Sequence, residues 1–222
     1  MNESIFIVHI VLVVGFSFWA LKMGKTALSA WIALQAVLAN LFVIKQISLF
    51  GLHVTCSDVF AIGSIFGLNL LREYYGAKTA KKALWSCFFV MVCFVVMAQI
   101  HLLYTPSPLD QTHPAFASIL ASSPRLLLTS LAVFFLVQQI DLKLFGWMRE
   151  KMGQVPLSIR NAGSVVATQF LDTLLFSLVG LWGLMENLFD IILLSFLIKA
   201  AVIACMTPLT HFAKRFVKRE TA

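Results

Sequence analysis

Apolar residues gather into seven stretches along this chain: residues 5–21, 27–44, 52–71, 83–103, 122–143, 161–184 and 188–210. Each is roughly 20 residues long, the length a helix needs to cross the hydrocarbon layer of a bilayer. The pattern predicts an all-α, polytopic membrane protein with about seven transmembrane helices. The third stretch is the least regular, because His53, Asp58 and Asn69 interrupt it and Gly51, Gly63 and Gly67 loosen it. A stretch of this kind can be an intact span or a broken or re-entrant helix, and the latter is tolerated only against protein or a water-filled cavity. Residues 104–124, which lead from the fourth stretch into the start of the fifth, hold four of the six prolines, Pro106, Pro108, Pro114 and Pro124. Proline removes a backbone donor, so this segment reads as an irregular cap.

Charge between the stretches alternates. Lys22 and Lys25 follow the first stretch, and Arg72, Lys78, Lys81 and Lys82 follow the third. Lys143, Arg149, Lys151 and Arg160 follow the fifth, and Lys214, Arg215, Lys218 and Arg219 follow the seventh. The other side carries Glu3, Lys45, Asp110, Glu186 and Arg125. Cytoplasmic loops are the basic ones, so the N-terminus is expected outside and the C-terminus inside. Tyr104 and Trp147, near predicted boundaries, suit the interfacial aromatic belt.

Composition sharpens this picture. The 222 residues are 60% hydrophobic and 12% charged, where soluble domains are near half apolar and a quarter charged. The net charge of +7 sits beside apolar runs, so it reads as an orientation signal near anionic headgroups and not as a nucleic-acid surface. Cys56, Cys87, Cys93 and Cys205 fall in or beside apolar segments without paired ligand spacing, and imply free thiols. The first stretch lacks a basic head and a small-residue cleavage site, and reads as a retained span. The phosphate-binding lysine loop, the HExxH zinc helix and the GxSxG elbow are all missing. The scattered histidines pair with no cysteine or acid, so neither a metal site nor a cofactor is expected.

Polar residues inside the apolar stretches carry the candidate chemistry. On a helix turning about 100° per residue, Asn161, Ser164, Thr168, Gln169 and Asp172 share one arc of roughly 140°. Gln138 and Asp141 are spaced i, i+3 near the end of the fifth stretch. Lys199 lies mid-way along the seventh, too far from either interface to reach water easily, where insertion of a lysine costs about 2.5–3.5 kcal/mol. Asp172 lies near the middle of the preceding, antiparallel stretch, so the two charges are expected to pair at mid-depth. Such a pair is either a static structural bridge or part of a ligand site of the kind transporters place near the bilayer midplane.

Arg160, Asn161, Ser164, Gln169, Asp172, Thr173 and Phe176 spell RNxxSxxxxQxxDTxxF, which resembles the hallmark of the queuosine precursor transporter family, also called the vitamin uptake transporter family. Gln138, Asp141 and Phe145 are similar to its preceding segment, Lys199 with Thr207 and Pro208 to its last helix, and the EYYG of Glu73–Gly76 to the end of an earlier span. The likeness runs from about Leu52 to His211. The family usually has aspartate at the position of Asn69 and commonly asparagine at that of Arg72, so one acidic contribution to the site is absent. Residues 1–25 look like an extra N-terminal helix ahead of a transporter core of residues 26–212, with residues 213–222 as a basic cytoplasmic tail, all within one transmembrane domain.

The resemblance implies an importer, not an enzyme, in the bacterial inner membrane. Its cargo would be a 7-deazaguanine base, such as queuine, preQ0 or preQ1, salvaged for tRNA modification. The implied site residues are Asp172, Gln169, Asn161, Lys199, Gln138, Asp141, Asn69 and Phe176. A guanine-like edge offers a ring N–H and an exocyclic amine to a carboxylate and needs a donor for its carbonyl oxygen. An aromatic ring such as Phe176 can stack on the base. The chain would work alone or as a homo-oligomer surrounded by lipid. Two other readings stay open: the substrate-binding subunit of an ATP-driven multi-subunit uptake complex, and an intramembrane enzyme using Asp141 and Asp172.

Overall fold

The computed structural model describes residues 1–151 and 157–213, with most side chains as far as Ala201. Helices dominate. In chain order they are α1 (Asn2–Met23), α2 (Lys25–Phe42), α3 (Asp58–Leu102), α4 (His113–Leu120), α5 (Ser123–Lys151), α6 (Leu157–Phe176) and α7 (Leu188–Ala213). A π-helical turn, Ser177–Leu181, extends α6. Two strands, β1 (Gln46–Leu49) and β2 (Leu52–Thr55), form an antiparallel hairpin between α2 and α3. Helix α3 bends at Gly76, whose φ of 82° and ψ of 162° interrupt the helical backbone, and so contributes two arms.

Helical segments therefore occupy each of the seven apolar stretches. Among the described residues, four segments are long and apolar enough to cross a membrane: Asn2–Met23, Lys25–Phe42, Lys78–Leu102 and His113–Val133. Val166–Leu181 is apolar but shorter. Helix α1 is apolar on nearly every side, and Ile5, Ile7, Val8, Val11, Leu12 and Trp19 are exposed on it as a lipid-facing surface requires.

The structure departs from the sequence pattern in several places. The third stretch does not begin as a helix. Residues 52–55 are a strand, and the helix starts at Asp58. The segment QISLFGLHVT combines β-branched residues with a two-residue Phe50–Gly51 turn in which both φ values are positive, 52° and 80°. That geometry matches the right-handed twist of paired strands. Nor is the first arm of α3 broken: its backbone is helical until Gly76. The proline-rich cap is not wholly irregular either, because Pro114 lies in the first turn of α4, where a missing N–H is harmless.

Gly63 and Gly67, read from sequence as loosening the third stretch, do the opposite. One turn apart on α3, they open a groove into which α2 and α1 press. A Cβ at Gly63 would fall on Gln35 Oε1 and Val13 Cγ1, and one at Gly67 would lie 2.7 Å from Ile32 Cγ1. Around this contact Leu21, Leu28, Ile32, Phe66, Leu70 and Leu71 form the largest apolar cluster. Trp31 Nε1 donates to Ser17 Oγ at 2.9 Å and ties α2 to α1. The hairpin is fastened at both ends of the fold: Asn2 Nδ2 donates to Ser48 O at 3.0 Å, and the His53 N–H donates to Asp190 Oδ2 at 3.4 Å.

Replacing Gly63 with valine should lower thermal stability in detergent by about 1–3 kcal/mol, the usual range for overpacking. Gln35 can swing aside, but the β-branched Val13 cannot do so without moving α1. Gly15→Ala, where a Cβ meets open space, is the control and should melt like the parent. Equal melting of both variants would contradict the close approach described here.

Candidate functional site

Lys199 sits mid-way along α7 and is only 9% exposed. Its ammonium donates to Asp172 Oδ2 at 3.3 Å and to Thr173 Oγ1 at 2.9 Å, both on α6. The Thr173 hydroxyl in turn donates to the Gln169 carbonyl at 2.9 Å. The bridge expected from sequence thus forms, and it is lopsided. The Lys199 side chain is 11% exposed, while that of Asp172 is 34% exposed and faces a cavity. A buried ammonium is stable only when paired and hydrogen-bonded, and here both conditions are met.

A second acid joins from α3. Asp58, 5% exposed, lies in the first turn of α3, where the helix dipole favours negative charge. Ser195 Oγ donates to its Oδ2 at 2.7 Å. Ser195 and Lys199 are four residues apart on α7, so one face of that helix presents both a hydroxyl and an ammonium. Helices α3, α6 and α7 therefore meet through polar contacts in an otherwise apolar bundle.

The cavity they border measures about 240 Å³. Its polar wall is formed by Asn40, Asp58, Asp172, Thr173, Ser195 and Lys199, and Phe176, Phe88, Met91, Leu126 and Leu127 give apolar surface. Towards the hairpin, Thr55 and Ser57 line it, their hydroxyls joined at 2.7 Å. Ligand pockets commonly span ~300–1,000 Å³, and this one lies just below the lower end of that range. At the end of α6 the π-helical turn leaves carbonyls without helical partners. Arg125 Nη2 donates to two of them, Val179 O at 2.8 Å and Trp182 O at 2.7 Å.

Of the site residues expected from sequence, Asp172, Lys199 and Phe176 line the cavity. Gln169 is half-buried one turn before Thr173 and is not part of the lining. Asn69 is exposed on α3, about three turns beyond Asp58, and does not reach the cavity. The side chains of Gln138, Asp141 and Asn161 lie outside the described residues, as do those of Phe145, Arg160, Ser164, Thr207 and Pro208 of the motifs. Sequence reasoning passed over Asn40, Asp58 and Ser195. An amide and an acid inside apolar stretches were the available signals, and Asp58 had registered only as an interruption.

Comparison with known proteins agrees with the motifs. A family model described as "Putative vitamin uptake transporter" matches residues 55–213. A protein of Bacillus subtilis (strain 168) named "Probable queuosine precursor transporter" is 32% identical over 200 residues, which cover 89% of this chain and 87% of that protein. No solved structure matches. The matched region takes in Asp58, Asp172, Ser195 and Lys199, and the chain belongs to the vitamin uptake transporter family of multi-pass membrane proteins, in which queuosine precursor transporters are found.

Proposed function

We propose that this chain imports a queuosine precursor, a 7-deazaguanine base, and holds it in the cavity between α3, α6 and α7. The observation that carries this reading is the lopsided Lys199–Asp172 pair. Its cation is 11% exposed and held by two partners, while its carboxylate is 34% exposed and opens onto the same cavity. A purely structural bridge has no need to keep one partner open. The name of the Bacillus subtilis relative supports the cargo class, since most of both chains align. In this reading Asp172 accepts from the ring N–H and exocyclic amine, Lys199 or a neighbouring donor serves the carbonyl oxygen, and Phe176 offers an aromatic face. Gln138, Asp141, Asn161, Gln169 and Asn69 are proposed as secondary contributors, reached through helix movement during transport.

Seven spans, with the N-terminus outside and the C-terminus inside, accompany this reading. The loop charges support that orientation, since Lys78, Lys81 and Lys82 are exposed just past the Gly76 bend. In it the hairpin and α4 lie on the outer side, and the cavity lies between the outer end of α3 and the middle of α7. Single cysteines at Lys81 and at Leu109, in a background lacking the four native cysteines, should differ in labelling of intact cells by an impermeant reagent. Leu109 is expected to react and Lys81 to stay protected. The reverse pattern would overturn the orientation.

Asp172→Asn should lower uptake of labelled base at sub-saturating concentration by about 10–100-fold, the worth of a hydrogen bond to a charged group. Uptake near that of the parent would remove Asp172 from the ligand. Because breaking a buried pair costs about 3–5 kcal/mol while replacing both partners is often nearly neutral, the Lys199→Met, Asp172→Asn double variant separates the two roles. It should regain folded protein and remain inactive in proteoliposomes containing this chain alone. Recovery of transport would make the pair scaffolding.

A further inference from the structure

Two side chains on the cavity wall are not accounted for by the Lys199–Asp172 pair. Asn40, near the end of α2, is 7% exposed, and its Oδ1 has no hydrogen-bond partner among the described residues. A buried carbonyl left unpaired forfeits its hydration without compensation, and native structures seldom keep one without a purpose. Asp58 is 5% exposed and receives a single described side-chain donor, Ser195 Oγ, on Oδ2. A carboxylate can accept about four hydrogen bonds, so most of its capacity is unused. Among the described residues the nearby cation is Lys199, which Asp172 and Thr173 already engage.

Asn40 Oδ1 and the Asp58 carboxylate thus offer acceptors to a ligand that brings donors. One turn along α7 from the serine that holds Asp58 stands the Lys199 ammonium, a donor. Acceptors followed by a donor complement a guanine-type edge, in which an exocyclic amine and a ring N–H adjoin a carbonyl oxygen. An adenine-type edge has an acceptor at the ring nitrogen and would set it against the Asp172 carboxylate. Resting on the import reading above, which leaves the ring N–H to Asp172, the geometry points to Asn40 and Asp58 as specificity-determining residues that accept from the exocyclic 2-amino group of the base. Asn40 lies ahead of the region that the family model matches, so α2 completes a site whose other members come from α3, α6 and α7.

The test uses the full chain in lipid nanodiscs and equilibrium binding of two probes, 7-deazaguanine and 7-deazahypoxanthine, which lacks the exocyclic amine. The parent should prefer 7-deazaguanine by about tenfold or more, since a site built to hydrogen-bond a polar group rejects the analogue without it. Asp58→Asn and Asn40→Leu should each weaken 7-deazaguanine by about tenfold and leave 7-deazahypoxanthine within about threefold, so that the preference collapses. Should Asp58→Asn fail to fold, as judged by its melting, the near-isosteric Asn40→Leu decides alone. Equal weakening of both probes, or of neither, overturns the assignment while leaving the import reading intact. So does a preference that survives in the variants together with binding that requires sodium, which would make the two residues a cation site. A parent protein that binds neither probe overturns the import reading itself.

Discussion

An ammonium group placed halfway along an apolar helix constrains this structure more than any other feature. Without partners, Lys199 would oppose insertion of α7; with Asp172 and Thr173 within 3.3 Å and 2.9 Å, it fastens α7 to α6. Direction follows as well as proximity, because ion pairs and hydrogen bonds weaken quickly once geometry is lost. Fixing Lys199 fixes the face of α7 it stands on, and Ser195 on that face reaches Asp58 on α3. Three helices are thereby set in register around a polar focus, and the cavity is the space their polar faces leave between them.

The other half of the molecule is held differently. Helices α1 and α2 and the first arm of α3 meet through glycines and aliphatic side chains, with Gly63 and Gly67 allowing backbones to approach closely. Within a bilayer, apolar side chains gain little by leaving lipid, so tight packing supplies the adhesion. Close-packed interfaces of this kind are stiff, whereas polar contacts around a cavity can be exchanged for contacts with a ligand. A transporter needs one body that stays rigid and one surface that can rearrange around its cargo, and the division between the glycine seam and the polar focus is suited to that. The hairpin joins the two halves, bonded to α1 through Asn2 and to α7 through Asp190.

The ion pair at the centre of the candidate site was visible in the chain itself. The Lys199–Asp172 bridge was legible because a charge in hydrocarbon must find a counter-charge, and two mid-depth charges on consecutive antiparallel helices have few alternatives. The family motifs were legible for the same reason, as polar residues stand out in an apolar run. The hairpin was not, since strands of four residues disappear into a hydropathy average taken over a helix length. Asn40, Asp58 and Ser195 were also not. Their type was plain, but facing depends on how helices rotate about their axes, and that rotation is set by packing.

Sequence alone thus determined that the chain is a helical membrane protein, where its apolar segments lie, which family it belongs to, and that Lys199 requires an anion. Those properties follow from the cost of placing polar groups in hydrocarbon, which acts on each residue separately and can be read one position at a time. Tertiary structure alone decided that Gly63 and Gly67 are a packing seam, that Gln169 and Asn69 stand away from the cavity, and that Asn40 and Asp58 face it. Those properties depend on distances between residues far apart in the chain, and only the packing of one helix against another fixes them.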